Sequence, residues 1–237
     1  FDPPDPAPLL PDPVNESAKG QPVGMTLKYP RLDLPAKSDG SYLFAGDVRL
    51  PGMVYAAIRH GPIGKAELVR LDKQAAKGTQ GLLSIVKGKR WLAAVATNWW
   101  AADQALDKMA PTFAVSGMAG SEQIDEALDK ALRHGEEQRL YQSGDPDVLL
   151  DSNFSLAVRY DVGPALHATV ETTCATARFT DGKLELWLAS QAPEAARKAA
   201  AAALDIDPRD VILYPMPAGG SFDRRLENDH AIEAAVI

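Results

Sequence analysis

Short runs in which apolar positions alternate or cluster follow one another between residues 42 and 97, and they predict a first group of β-strands. The runs occupy residues 42–48, 53–58, 68–71, 82–86 and 91–97. Leu50-Pro51-Gly52 separates the first two runs, with proline and glycine in the positions that a type II turn prefers. Residues 73–77 predict a short helix between the third and fourth runs.

Helical patterning begins at Asn98, which is expected to cap a helix that stops before Pro111. Trp99 and Trp100 open this helix, and their large apolar rings are predicted to pack in the core.

The clearest helix is predicted over residues 121–133, after a loop at 114–120. Its apolar side chains recur at four-residue spacing at Ile124, Leu128 and Leu132. Ser121 is predicted to cap its start and Gly135 its end.

A second group of strands follows and includes a hairpin. Strands are predicted at 154–160, 166–172, 174–180, 183–188 and 211–214. Asp181-Gly182 joins the third and fourth of these, and this dipeptide between β-rich runs is typical of a hairpin turn. An alanine-rich helix is predicted from Pro193 to about residue 204, and 224–237 is predicted to be helical. The mixed order indicates an α+β protein with at least two lobes.

The ends of the sequence differ in character from its middle. Residues 1–22 carry seven prolines and few apolar residues, which predicts an extended segment that packs along another surface. The last predicted helix carries Ile232, Ala235 and Val236, and we expect another chain, or a second copy of this one, to cover this apolar surface.

Composition narrows the possible partners. A net charge of −7 argues against a nucleic-acid or anionic-membrane surface, because both need clustered lysine and arginine. No apolar run approaches the roughly 20 residues that span a bilayer. Cys174 is the only cysteine of the 237 residues, so an internal disulfide and a multi-cysteine iron–sulfur or zinc site are excluded. A protein without disulfides can reside on either side of a membrane, so the cysteine content does not indicate the cellular compartment.

Gly219 and Gly220 lie between a predicted strand and a predicted helix. Adjacent glycines permit unusual backbone angles and leave room for a ligand, and the exposed amides could hold an anionic or oxo-bearing group. The alternative is a turn that needs flexible residues. Gln191 occupies the equivalent place one strand earlier, where its neutral amide could donate to the same ligand. Its alternative role is that of a helix N-cap.

Three other features are interpreted as structural. His167 and Glu171 are four apart, but the β-rich sequence around them favours a structural hydrogen bond over a metal pair. Cys174 is interpreted as a buried inert thiol. Arg224 and Arg225 could clamp a phosphate, although solvation and neutralisation by nearby carboxylates are favoured.

Several stretches in order resemble a known family. Residues 41–56, Ser-Tyr-Leu-Phe-Ala-Gly-Asp-Val-Arg-Leu-Pro-Gly-Met-Val-Tyr-Ala, resemble the opening of the α/β-hammerhead domain in molybdenum hydroxylases of the xanthine dehydrogenase and aldehyde oxidase family. The stretches 166–171, 187–193 and 219–227 agree in the same order, and the sequence is most similar to the group of isoquinoline 1-oxidoreductase β-subunits. The resemblance covers residues 32–237.

The resemblance implies a fold, a cofactor and partners. It implies a lead-in at 1–34, an α/β-hammerhead domain at 35–115 and part of a molybdopterin-binding α+β domain at 116–237. It implies a molybdopterin-type molybdenum cofactor, of which the cytosine dinucleotide is one form. The implied partners are the remainder of the molybdenum subunit or a second chain, with an iron–sulfur or cytochrome electron-transfer subunit. The implied activity is hydroxylation of an aldehyde or N-heterocycle with oxygen from water.

The resemblance also assigns site residues. Gln191 matches the glutamine that hydrogen-bonds an oxo group of the metal centre, and Gly219, Gly220, Ser221 and Phe222 match the loop whose backbone approaches the metal and pterin. No residue here is a direct metal ligand. The family's base glutamate is absent from the sequence, so the chain is expected to be incomplete and inactive alone.

Three positions depart from the family pattern. Ser221 and Asp223 replace glycines, and the Asp223 carboxylate would lie in the substrate pocket, where it would repel an acidic substrate. Leu226 stands where xanthine-type members hold a substrate glutamate, so xanthine is disfavoured. The alternative function is a non-catalytic interaction module that contains a hammerhead and has lost cofactor binding.

Overall fold

The structure is a computed structural model that describes residues 32–62, 64–136, 138–145, 156, 158–163, 165 and 168–237. The chain divides into two compact units, Phe1–Tyr42 and Leu43–Ile237. In the first unit the described residues hold helix α1, Leu34–Asp39, which Gly40 ends in the left-handed conformation at φ 78°. Helix α1 was not predicted from the sequence; its first turn holds Pro35, where proline is well tolerated. The proline-rich residues 1–31 lie outside the described residues.

The second unit has a mixed order of helices and strands, as an α+β protein should. Its elements are β1 Tyr55–His60, β2 Lys65–Arg70, β3 Leu82–Lys87, β4 Trp91–Ala96, α2 Trp99–Met109, β5 Thr112–Ser116, α3 Ser121–His134, β6 Ala175–Thr180, β7 Lys183–Leu188, α4 Pro193–Leu204, β8 Val211–Pro215 and α5 Asp229–Val236. Short 3₁₀ helices cover Ala45–Asp47, Pro208–Asp210 and Arg224–Leu226.

The first core forms between α2 and an antiparallel sheet of order β1-β4-β3. Strand β4 is buried from Leu92 to Ala96, and its alanines let the helix approach closely. Leu106 and Met109 fill the helix side of this core. Strands β2 and β5 pair separately as a two-stranded antiparallel sheet.

The second core belongs to the sheet that carries the candidate site. Strands β6 and β7 form the predicted hairpin, and β8 joins β7 in parallel after crossing over through α4. Alternate leucines of β7, from Leu184 to Leu188, are fully buried against alanines of α4 and α5. Of the apolar residues at the end of α5, Ala235 packs against this core and Val236 is partly exposed.

Most predicted elements are confirmed, and the local errors have physical causes. Residues 42–48 form no strand, because the Asp47 carboxylate accepts from the Phe44 amide and closes a 3₁₀ turn. Residues 73–77 form turns, where the Asp72 carboxylate accepts from two following amides. The predicted loop at 114–120 is a strand up to Ser116, because β5 finds its partner in β2.

The predicted strands at 154–160 and 166–172 lie partly outside the described residues, and their described positions form no strand. Helix α3 is confirmed, but its cap is Gly120, whose amide donates to the Gln123 side chain, and not Ser121. No residue of α3 is buried.

The prediction that the paired tryptophans lie in the core is wrong. The side chains of Trp99 and Trp100 are 53% and 66% exposed at the first turn of α2. The Asn98 side chain accepts from the Ala101 amide and caps the helix as predicted. The buried face of α2 consists instead of small alanines with Leu106 and Met109.

Candidate functional site

The candidate site lies where two neighbouring parallel strands end. In the register of β7 and β8, Leu188 lies opposite Pro215, so both strands finish at the same edge of the sheet. Gln191 follows β7 and the stretch from Gly219 to Asp223 follows β8. Loops that leave the carboxyl ends of adjacent parallel strands meet at one edge, where ligand sites tend to form.

Gln191 and Asp223 meet at this edge. The Gln191 side-chain amide donates to the Asp223 carboxylate, with 3.3 Å between Nε2 and Oδ1. The main chain of Gln191 is also held, because its N–H donates to the Arg225 carbonyl at 3.0 Å. The N-cap interpretation of Gln191 is wrong, since α4 begins at Pro193 with Ala192 in the cap position and without a side-chain cap.

Two side chains hold the strand end that leads to Gln191. The Ser190 hydroxyl accepts from the Ala192 amide at 3.0 Å and lies 3.4 Å from the Arg225 carbonyl. His230 Nε2 lies 3.1 Å from the Ala189 carbonyl, to which the neutral ring donates. Burial lowers the pKa of His230 and favours this neutral form.

The loop after β8 has an unusual backbone that explains its glycines. Gly220 has φ 111°, and Phe222 and Asp223 have φ 46° and 60°. A Cβ on Gly219 would lie 2.6 Å from the Cβ of Glu171, closer than two such atoms can approach. Close packing therefore excludes a side chain at Gly219, and backbone angle excludes one at Gly220.

Arg225 is buried, which contradicts the interpretation that both arginines are solvated. Its side chain is 1% exposed, and its Nη2 lies 2.8 Å from Glu171 Oε2. Its Nε donates to the Gly220 carbonyl at 2.9 Å. Arg224 does follow the expectation, since it is exposed and pairs with Glu227 at 2.6 Å. Glu171 precedes the loop by a long stretch of sequence, whereas Glu227 follows it closely. Only the pair of Arg224 with Glu227 is therefore local in sequence.

Glu171 binds the backbone of the glycine loop. Its Oε2 accepts from the Gly219 amide at 2.7 Å as well as from Arg225, and its own N–H donates to the Gly219 carbonyl at 3.2 Å. Its expected partner His167 lies outside the described residues. Within the described ranges no three histidine, cysteine or acidic side chains form a group that could hold a metal ion.

The face of the site is exposed and offers mainly neutral donors. The Phe222 ring is 67% exposed beside Gln191 and Asp223, which are also exposed. The amides of Gly220, Ser221 and Phe222 donate to no group among the described residues. Successive amides in such a turn form a concave donor surface that suits an anion or an electron-rich oxygen.

Cys174 lies near this loop but does not form part of it. The thiol is half-buried, and burial together with the charge of Glu171 raises its pKa. A raised pKa favours the protonated thiol, and the side chain is half-buried where the sequence-based interpretation had it buried. None of the helices in the described part of the chain combines the length and apolar character of a bilayer span.

Comparisons with known proteins identify a family model and several relatives. Residues 132–237 match the family model described as molybdopterin cofactor-binding domain. The chain is 27% identical to the beta chain of isoquinoline 1-oxidoreductase from Brevundimonas diminuta over 88% of its own length and 28% of the relative's. It is 24% identical to a nicotinate dehydrogenase subunit from Pseudomonas putida, over 88% of its own length and 18% of the relative's. The chain thus spans less than a third of these relatives.

Solved structures show a similar fold. Quinoline 2-oxidoreductase from Pseudomonas putida 86 superposes with a TM-score of 0.64 and 16% identity, over 86% of this chain and 32% of that one. Aldehyde oxidoreductase from Desulfovibrio gigas superposes with a TM-score of 0.64 and 17% identity, over 88% of this chain and 29% of that one. The resemblance to the molybdopterin-binding subunit of molybdenum hydroxylases, and to the beta chain of isoquinoline 1-oxidoreductase in particular, is confirmed by these matches.

Proposed function

We propose that this chain is part of the molybdopterin-binding subunit of a molybdenum hydroxylase that oxidises an N-heterocycle or an aldehyde with oxygen from water. The observation that carries the proposal is the convergence of the Gln191 amide with the loop 219–223, which it contacts at Asp223, at the shared carboxyl edge of β7 and β8. The relatives named for isoquinoline, nicotinate and quinoline support an N-heterocycle, and those named for aldehydes support the second class.

The residues present fit a molybdopterin-type cofactor. Gly219 and Gly220 let the loop backbone pack against Glu171 and Thr169, and they place no side chain between the loop amides and a ligand. The amides from Gly220 to Phe222, which have no acceptor among the described residues, and the Gln191 amide supply neutral donors. An electron-rich, oxygen-bearing group requires such donors. Because these donors are neutral amides, they would bind the cofactor without placing a full positive charge at the surface of the site.

When bound, the cofactor supplies the oxidation–reduction chemistry of the reaction. Gln191 would donate from Nε2 to an oxygen of the cofactor and would thereby orient it. One of the two N–H donors of this amide contacts the carboxylate of Asp223 at 3.3 Å, and the other is left for the cofactor. Phe222 offers an exposed apolar ring against which a flat heterocycle can lie.

Asp223 sets the charge that the substrate meets. Its carboxylate lies at the surface beside Gln191, and the adjacent cation in the chain, Arg224, is paired with Glu227. A negative substrate is repelled there, whereas a neutral heterocycle is not. We therefore propose that neutral heterocycles and aldehydes are preferred over heterocyclic carboxylates.

The wider assembly belongs to the same proposal. We assign residues 35–115 to an α/β-hammerhead domain and 116–237 to part of the cofactor-binding domain, of which the family match covers 132–237. The rest of the site then comes from further parts of the molybdenum subunit or from another chain. An iron–sulfur or cytochrome subunit would accept the electrons, and the cytosine dinucleotide is one form that the cofactor would take.

A second function is favoured by one observation. Because the Gln191 amide is already bound to Asp223, the chain could instead be an interaction module that no longer binds a cofactor. Molybdenum and pterin contents of the full protein, isolated with its natural partners, distinguish the two. Stoichiometric metal with pterin fluorescence after oxidation supports the enzyme, and freshly isolated protein without either supports the module.

A variant links the measurement to the site. Gln191→Ala is expected to lose bound molybdenum and pterin, because the donor that orients the cofactor is removed. Gln104→Ala is the matched control, since Gln104 lies on α2 against the other sheet. Equal cofactor contents in the two variants would contradict the role proposed for Gln191.

A further inference from the structure

The Glu171–Arg225 ion pair is the most deeply buried ion pair of the described residues that involves the candidate site. Arg225 is 1% exposed and the Glu171 side chain 17%, whereas Arg224 and Glu227 next to them are about half exposed. Burying a charge pair is costly and often contributes little net stability. The pair is also incompletely satisfied, because Arg225 Nη1 and Glu171 Oε1 are buried without hydrogen-bond partners in the described part of the chain.

The pair ties three segments together around the glycine loop. Arg225 contacts Glu171 Oε2 at 2.8 Å and the Gly220 carbonyl at 2.9 Å. Glu171 Oε2 accepts from the Gly219 amide at 2.7 Å, and the Glu171 N–H donates to the Gly219 carbonyl at 3.2 Å. Both carbonyls of the Gly-Gly pair are therefore held on the buried side of the loop.

These contacts decide where the free amides point. In a trans peptide the C=O of one residue and the N–H of the next point in opposite directions. Since the Gly219 carbonyl is held by Glu171, the Gly220 N–H points away from that segment. Since the Gly220 carbonyl is held by Arg225, the Ser221 N–H points away from the buried guanidinium. These amides lack partners among the described residues, as this orientation requires.

We propose that Glu171 and Arg225, together called the clamp, are positioning residues that aim the Gly220 and Ser221 amides at the cofactor. The inference rests on the proposed function for the identity of the ligand. The geometry of the clamp holds independently of it. Neither residue belongs to the strand core, and the hydrogen bonds of the pair end on the loop backbone.

Conservative substitutions test the clamp in the full protein. Glu171→Gln keeps one acceptor oxygen, replaces the other with an NH2 donor and removes the negative charge. Arg225 then has no charged partner. In Arg225→Lys the charge stays, but a single ammonium cannot bridge Glu171 and the Gly220 carbonyl together. Glu227→Gln and Arg224→Lys are the matched controls, because they make the same changes in the neighbouring exposed pair.

The first readout is hydrogen exchange in the cofactor-free protein. We expect the Gly219 and Gln191 amides, which are bonded to Glu171 and to the Arg225 carbonyl, to exchange about tenfold to a hundredfold faster in both clamp variants. The amides of Leu184–Leu188 in the sheet are expected to keep their rates, and the controls are expected to match the wild type. Unchanged loop exchange would overturn the proposal. Unfolding of both clamp variants would overturn it too, because the pair would then support the whole domain.

The second readout is the molybdenum and pterin content of the protein isolated with its natural partners. It is expected to fall in both clamp variants and to stay at the wild-type value in both controls. A wild type without pterin would refute the proposed function, while the exchange rates would still decide whether the clamp exists. Full cofactor content in both clamp variants would refute the positioning role alone.

Discussion

The amide of Gln191 and the carboxylate of Asp223 lie 3.3 Å apart, although they are 32 positions apart in the chain. They meet because β7 and β8 are parallel neighbours that end at the same edge of the sheet. The Gln191 amide, which we propose as a donor to the cofactor, is thus hydrogen-bonded to a carboxylate of the same chain. This contact uses one of the two N–H donors of the Gln191 amide and restrains the direction in which the other can reach the cofactor.

Asp223→Gly is expected to increase cofactor loading. Glycine releases the bonded N–H of the Gln191 amide, so that the side chain can reorient, and removes a negative charge from the site. It also adopts the left-handed backbone at φ 60° without the strain that a side chain brings. We expect a larger fraction of the protein to hold molybdenum when it is produced with limiting molybdate.

Asp181→Gly is the control for this prediction. Asp181 has φ 51° in the β6–β7 turn, so glycine relieves the same kind of backbone strain away from Gln191. If both variants load equally, the effect of Asp223 is one of stability, and restraint of Gln191 by Asp223 is refuted.

Gly219→Ala is expected to destabilise the protein by about 1–3 kcal/mol, because the new Cβ would lie 2.6 Å from the Cβ of Glu171. Gly163→Ala is expected to leave the free energy of unfolding nearly unchanged, since no described atom lies within 4 Å of a Cβ there. Denaturant unfolding of both variants measures the difference. Equal stabilities would show that Glu171 does not pack against Gly219.

Trp100→Ala is expected to lower the free energy of unfolding by less than about 1 kcal/mol, because the side chain is 66% exposed. Leu106→Ala on the same helix is expected to cost about 2–5 kcal/mol, because Leu106 is fully buried against the first sheet. Equilibrium unfolding followed by circular dichroism measures both. A larger loss for Trp100 would place the tryptophan in the core after all.

The contact between His60 and Glu233 is expected to depend on pH. His60 Nε2 lies 2.6 Å from Glu233 Oε1, and this hydrogen bond raises the pKa of His60, with Asp229 adding to the shift and Arg224 opposing it. Because the folded-state pKa is raised, the stabilisation is fully present below the ordinary histidine pKa of 6.5 and is lost as pH rises through the raised value.

The stability difference between wild type and His60→Gln measures this effect. It is expected to be larger near pH 6 than near pH 9 and to stay below about 1 kcal/mol, since the ring is half exposed and solvent screens the pair. His134→Gln at the exposed end of α3 is the control. A difference that grows with pH would contradict the assigned contact.

Local sequence signals predicted most of the secondary structure. The Asp181-Gly182 turn, the Asn98 cap and the Pro193 helix start each depend on a few neighbouring residues, and all three are confirmed. The exposure of the tryptophans was not predicted, because aromatic residues favour burial by composition alone. Which face of α2 meets the sheet depends on tertiary packing.

The candidate site was only partly predictable for the same reason. Gln191 and the two glycines were identified because each lies between a predicted strand and a predicted helix. The pairing of Arg225 with Glu171 spans 54 positions, and no periodicity connects them. Arg224 and Arg225 are neighbours in one short run, so the local sequence does not indicate which of them is buried.

The position of molybdenum in crystals of the complete protein tests the central claim most directly. An anomalous difference map recorded at the molybdenum absorption edge locates the metal without reference to any assumed ligand. We predict one peak within about 5 Å of Gln191 Nε2, facing the amides of Gly220 and Ser221. A peak elsewhere in the chain, or metal-free protein isolated intact with its partners, would contradict the account.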